Sequence, residues 1–199
     1  MRQTNFITTI RKQSEDRVSF IILTNLKKNV NKDYNRKETL EKQVQKIKDV
    51  FQKPEIIVIT GADNQKVNKY KQDFRIVENV NYFDCGDFEQ IRLGIQNCET
   101  KNIYIIPENL LDLNLTLNKY SKVFLSSVKS DNPGCTYHQY IENIAYGIPN
   151  EINKAFFITG NELEILQKYL LDNQKTKYKL TSFEVINDII HKGAKFKAV

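Results

Sequence analysis

The sequence predicts an α/β fold, a mostly parallel mixed sheet flanked by helices, and three observations carry that expectation. Glu55 to Ile59 is a nearly continuous apolar run set between Pro54 and Gly61, which reads as a short strand buried on both faces. Val18 to Leu23 is a second run of the same kind, and the stretch between the two has helical periodicity. Strand, helix, strand makes a parallel pair, because such a pair needs a crossover of about a dozen residues or more. A ligand site in a sheet of this kind is expected at the carboxyl ends of the strands.

Each element has its own signal. Residues 1–17 are mostly polar, with Phe6, Ile7 and Ile10 as apolar exceptions, and read as an N-terminal arm; residues 18–199 read as one domain. After the first strand, Thr24 to Lys37 contains four Lys, one Arg and four Asn and not one Gly. Leu40, Val44, Ile47 and Val50 or Phe51 then recur at steps of a helix laid on a sheet, and the helix must end before Pro54. Beyond Gly61, residues 64–70 suggest a short helix and Phe74 to Glu78 a third strand. Asn79 to Gly86 is rich in turn formers, and Asp87 with Gln90 suggests a cap for a helix through Ile91, Leu93 and Ile95. Ile103 to Ile106 is the next buried strand and runs into Pro107, Glu108 and Asn109. Alternation of strand and helix on this scale predicts an α/β architecture.

The second half changes character. Lys122 to Val128 reads as a strand, Ser130 to Gly134 as a turn, and Thr136 to Tyr146 as a hairpin. Ala155 to Thr159 is a further strand. Asn161 with Glu164 suggests the start of a helix to about Leu171, and Thr181 with Glu184 forms a capping-box pattern for a last helix ending at Gly193. Lys195 to Val199 suits a closing strand.

Composition narrows the function classes. A chain of 199 residues can bury a core without disulfides or metals. Lys and Arg number 30 against 24 Asp and Glu, a formal excess of 6, but the signs are mixed along the chain. That pattern reads as a solvated surface, and nucleic-acid binding is not expected. Cys85, Cys98 and Cys135 are odd in number and too widely spaced for a zinc site, which suggests reduced thiols in the cytosol. No apolar run is long enough to span a membrane, and the first residues lack the apolar centre of a signal peptide. His138 and His191 have no Cys or Asp at a recognisable spacing, and Asp84 with Asp87 reads as one loop residue and one helix cap.

The succession TLEKQVQKIKDVF, PEIIVITGADNQKV, RIVENVNYFDCGDFEQIRLGI and NIYIIPENLL, over roughly residues 18–112, resembles the nucleotidyltransferase branch of the glycosyltransferase-A fold. Sugar-1-phosphate nucleotidyltransferases and molybdenum-cofactor guanylyltransferases belong to it. NIAYGIPN, AFFITGNELEIL and SFEVINDIIHKGAKF resemble its later strands and last helix more weakly, and glycosyltransferases of the same fold are a second relative. The resemblance implies a triphosphate-binding loop after the first strand, Gly-rich in the family because backbone N–H groups must approach phosphate closely. In this chain the matching loop, Thr24 to Lys37, has no Gly. Lys27, Lys28, Lys32, Arg36 and Lys37 supply charge there, with Lys28 and Lys37 as the catalytic candidates and Lys27, Lys32 and Gly61 as the nucleotide-binding ones.

The resemblance also places an Asp on Mg²⁺ at the end of the strand Ile103 to Ile106, and the matching residue is Glu108. Its extra methylene shifts the oxygens in a coordination sphere that tolerates little displacement. The residue itself reads as an exposed loop acid, with the Mg²⁺ ligand as the alternative that the resemblance implies. Taken together, the sequence points to a member of this fold that has lost catalysis and acts as a structural or protein-binding component of a larger assembly, such as a viral particle. Protein partners are expected through the N-terminal arm and the second-half hairpins, with no cofactor. The alternative is an active sugar-1-phosphate nucleotidyltransferase using a nucleoside triphosphate and Mg²⁺, or a glycosyltransferase.

Overall fold

The computed structural model describes residues 17–24, 36–61, 73–108, 115–125, 154–176 and 179–198, with the backbone alone at 36–38, 125, 154 and 198. The expected arm, the helix over 64–70, and the turn and hairpin between 130 and 146 lie outside the described residues. Lys27, Lys28, Lys32, Cys135 and His138 lie outside them too.

The described chain runs β1 (Val18–Leu23), α1 (Arg36–Val50), β2 (Glu55–Thr60), β3 (Arg75–Glu78), α2 (Asp87–Gln96), β4 (Asn102–Pro107), β5 (Lys122–Leu125), β6 (Lys154–Ile158), α3 (Gly160–Asn173), α4 (Ser182–His191) and β7 (Lys197–Ala198). The strands form one sheet in the order β3-β2-β1-β4-β6-β5-β7. β3, β2, β1 and β4 are mutually parallel, and β6 runs against both β4 and β5. The mostly parallel mixed sheet expected from the sequence is therefore present.

Two apolar layers sandwich the sheet. Phe20, Ile22, Val58, Tyr104 and Phe157 face α1, whose Leu40, Val44 and Ile47 close that side. Ile21, Ile57, Ile105 and Phe156 face the other way, onto α2, α3 and α4. This alternation within each apolar run explains why strands with no polar face read as continuous. Val50, at the end of the expected stripe, is half exposed instead of buried. Among the described residues no helix is long and apolar enough to cross a membrane.

The helix ends differ from expectation in two places. Gly86, not Asp87, occupies the N-cap of α2, with no side-chain cap bond. Its lack of a side chain is required, since a Cβ there would lie 2.3 Å from the Lys179 carbonyl oxygen. α3 begins at Gly160 with Thr159 at its N-cap, not at Asn161. The capping box of α4, Thr181 with Glu184, is present as expected, and Gly193 takes φ 97° just past the helix end. The closing strand is only the two residues Lys197–Ala198, paired in parallel with β5.

Candidate functional site

Strand order sets where a crevice can form. From β1 the chain reaches β2 on one side, whereas β4 lies on the other side of β1 and is entered from β3. Between β1 and β4 the direction of winding reverses, and ligands in open α/β sheets bind outside the carboxyl ends at such a point.

The residues at that edge are polar and buried. Leu23 is level with Ile59 on one side and with Pro107 on the other. One position on, Thr24, Thr60 and Glu108 therefore stand in a row across three adjacent strands, about 4.8 Å apart. Alternation turns all three toward the α1 side of the sheet. Their exposures are 4%, 2% and 7%. The expectation of an exposed loop acid at Glu108 is thus corrected: its backbone N–H continues the sheet pairing by donating to Leu23 O at 3.1 Å, which carries the residue inward.

The surrounding bonds fix the row's backbone. Thr24 Oγ1 donates to Ile59 O at 2.6 Å, and Gln43 Nε2, from α1, donates to Pro107 O at 2.8 Å. Thr60 Oγ1 is buried with no hydrogen-bond partner among the described residues. Gly61, buried at the end of β2, follows directly, and Asn79 N donates to Thr60 O at 2.8 Å. Gly61 and Glu108 are thereby brought to one edge, two strands apart. Lys37 belongs to the first turn of α1, and its side chain lies outside the described residues.

Sequence reasoning missed Thr24, Thr60 and Gln43. Thr24 and Thr60 each end an apolar run, so they look like ordinary strand termini until the register aligns them. Gln43 sits between Leu40 and Val44 on the helix stripe, a buried polar residue at a core-facing position. His191 is exposed in the last turn of α4, away from this row.

The opposite edge of the sheet has a different character. Ser19 Oγ donates to Glu55 Oε2 and meets Thr100 Oγ1 at 2.7 Å, while Glu99 N donates to the same Glu55 oxygen at 2.9 Å. Arg75 bridges Glu99 at 3.0 Å and Glu55 at 3.6 Å. Burial, then the nearby Glu55 charge, push the Cys98 thiol up to about 12. A neutral, partly buried thiol is a poor nucleophile, and the bonds among Ser19, Glu55, Arg75 and Glu99 join the amino ends of β1, β2 and β3.

Glu108 is the buried carboxylate of the carboxyl edge, while Glu78, level with Thr60 at the end of β3, is exposed. Among the described residues no three His, Cys, Asp or Glu side chains cluster to form an all-protein cage. One carboxylate beside hydroxyl groups nevertheless fits Mg²⁺, which is commonly held by one or two carboxylates together with substrate phosphates and water.

No protein-family model and no curated protein matches the sequence. Solved structures do match. The CTP:phosphocholine cytidylyltransferase of Streptococcus pneumoniae aligns over 92% of this chain and 89% of its own, with TM-score 0.62 and 19% identity. The inositol-1-phosphate CTP transferase of T. maritima aligns over 93% and 85%, with TM-score 0.60 and 11% identity. The chain has a nucleotidyltransferase-like fold. A third structure, the 4-diphosphocytidyl-2C-methyl-D-erythritol synthase of Anaerococcus prevotii, has TM-score 0.57 at 14% identity, over 92% of this chain and 86% of its own. At such identities the likeness is one of fold, and in a nucleotidyltransferase-like fold function must be argued from the site.

Proposed function

We propose that the chain binds a nucleoside triphosphate with Mg²⁺ at the carboxyl edge of β1 and β4, as a divergent nucleotidyltransferase. The burial of Glu108, level with Thr24 and Thr60, carries this reading. A buried carboxylate at the switch point puts negative charge where a Mg²⁺ ion shared between the protein and substrate phosphates would sit. Glu108 is the metal ligand in this reading, and Lys27, Lys28, Lys32 and Lys37 supply charge for the phosphates. Bound Mg²⁺ would neutralise phosphate charge and orient the phosphates for displacement. The relatives named above are enzymes of CTP or of cytidylyl transfer by name, so CTP is the first nucleotide to test. A cytosolic location goes with this reading.

One observation favours a second reading, in which catalysis has been lost and the fold serves as a protein-binding component of a larger assembly, a viral particle among the options. Thr24 to Lys37 contains no Gly, so close backbone approach to phosphate falls to Asn25, Asn29, Asn31 and Asn35, residues that tolerate left-handed angles. Calorimetric titration with each of the four nucleoside triphosphates, with and without Mg²⁺, separates the readings. Mg²⁺-dependent micromolar binding that selects one base is the expected result. No binding at millimolar concentration would leave the second reading in possession.

A further inference from the structure

We propose that Gln43 is a positioning residue for the Glu108 carboxylate, acting from α1 through the backbone that carries it. The inference rests on the nucleotide reading above and deepens it. Gln43 is 3% exposed and lies on the face of α1 that also carries Leu40, Val44 and Ile47. An apolar residue would fill that position without polar groups to satisfy, whereas a buried amide is costly there unless it is hydrogen-bonded. The Gln43 amide reaches across to the sheet, where its Nε2 donates to Pro107 O at 2.8 Å.

The pairing of β4 shows what that bond does. The register of β4 with β6 runs from Ile103 to Ile105, so Pro107 lies beyond it. On the other side β1 stays level with β4 as far as Leu23 and Pro107, and Leu23 O accepts from Glu108 N at 3.1 Å. The N–H and C=O of one trans peptide lie in one plane and point in opposite directions. The peptide joining Pro107 to Glu108 is therefore held from both sides, by β1 at its N–H and by Gln43 at its C=O. Fixing that plane restricts the direction in which the Glu108 side chain leaves the backbone. Mg²⁺ tolerates little misplacement of a ligand oxygen, and groups that orient a metal ligand are typically worth about 10- to 100-fold in metal affinity.

Calorimetric titration of the full chain with Mg²⁺-CTP and with Ca²⁺-CTP tests this. Gln43→Met, close to Gln in size but without a donor, is expected to weaken Mg²⁺-CTP binding by about 10- to 100-fold. With Ca²⁺, whose coordination is flexible, the loss relative to wild type is expected to be clearly smaller. A purely structural role for Gln43 would weaken binding with both ions alike. Gln43→Asn, whose amide falls one methylene short of Pro107 O, is expected to show the same metal-selective loss, and it decides the matter if circular dichroism shows Gln43→Met to be unfolded. A loss as large with Ca²⁺ as with Mg²⁺, or no loss with Mg²⁺, would overturn the positioning role while leaving the nucleotide reading intact. Absence of CTP binding to wild type with either ion would overturn the two together.

Discussion

Ser182 N, at the first residue of α4, donates to Asp87 Oδ2, at the first residue of α2, at 2.9 Å across a sequence separation of 95. Asp87 therefore caps not its own helix but the one packed beside it. Phe88 N donates to Leu180 O at 2.9 Å in the same junction, so the two helix starts are stitched in both directions. Asp87→Ala should cost about 1 kcal/mol, the usual value of a lost N-terminal acceptor, and Asp87→Asn, which keeps an oxygen in place, should cost less. Urea denaturation of the two variants, read as a change in midpoint at constant slope, checks the ranking.

Gly86 makes that junction possible. A methyl group on residue 86 would place its carbon 2.3 Å from Lys179 O and 2.5 Å from Leu180 O, both backbone atoms with no rotamer to yield. Gly86→Ala should destabilise by about 1–3 kcal/mol, the cost of forcing atoms into a packed site. Because Cys85 and the Asn79 turn adjoin it, hydrogen exchange at Asn81 and Asp84 amides should speed up in the same variant.

These two residues show what a sequence can reveal. Asp87 looks like a helix cap from its type and its spacing to Gln90, and it is one, but the helix it caps lies far along the chain. Local pattern identifies the chemistry of a residue and not its long-range partner. The same limit governs the candidate site. The apolar runs of β1, β2 and β4 are legible because buried parallel strands are uniformly apolar, and the capping box of α4 is legible because both members lie within one turn. Thr24, Thr60 and Glu108 become a row only through the register of three strands, which no local window contains. Glu108 follows a proline at a strand end, where an exposed loop is the ordinary outcome, and the bond of its amide to Leu23 O instead continues the sheet pairing through it.

Cys98 should be slow to react. Its thiol is held near pKa 12, above the ordinary 9.0, chiefly by burial and next by Glu55. At pH 8 the native protein should label at Cys98 far more slowly than the urea-unfolded chain, as read by peptide mass spectrometry. The sign of the linked stability follows. The folded state holds this proton more tightly than the unfolded state, so the contribution is complete below about pH 9 and is lost as pH rises toward 12. Cys98→Ala should therefore fall less steeply in stability across that window than wild type. Tyr169, also raised by burial and by its bond to Asp188, remains in both proteins and cancels in the comparison.

Tyr104 ties the core to the segment that follows β4. Its ring stacks on Phe20 with centroids 5.0 Å apart, and its hydroxyl donates to Thr116 O at 2.6 Å and accepts from Asn118 Nδ2 at 2.9 Å. Tyr104→Phe keeps the stack and removes the bonds of the hydroxyl to Thr116 and Asn118, while Asn118 Nδ2 still donates to Thr116 O at 2.8 Å, so a loss of about 1 kcal/mol is expected. A smaller loss would mean that water reaches the Thr116 end of the contact.

Glu108 is the residue on which the functional reading turns, and its variants separate charge from length. Glu108→Gln keeps the shape and removes the charge, so Mg²⁺-dependent nucleotide binding should drop at least about tenfold, in line with loss of a metal ligand. Glu108→Asp keeps the charge on a shorter arm, and Mg²⁺ tolerates little misplacement at about 2.1 Å. Its binding should fall between wild type and Glu108→Gln, with Mn²⁺ or Ca²⁺, whose coordination is more forgiving, recovering more than Mg²⁺ does. Circular dichroism on each variant shows whether the fold is kept. If Glu108→Gln binds nucleotide with unchanged Mg²⁺ dependence, the buried carboxylate serves the packing of the β1 and β4 ends, and the metal must be sought among the residues that follow β1.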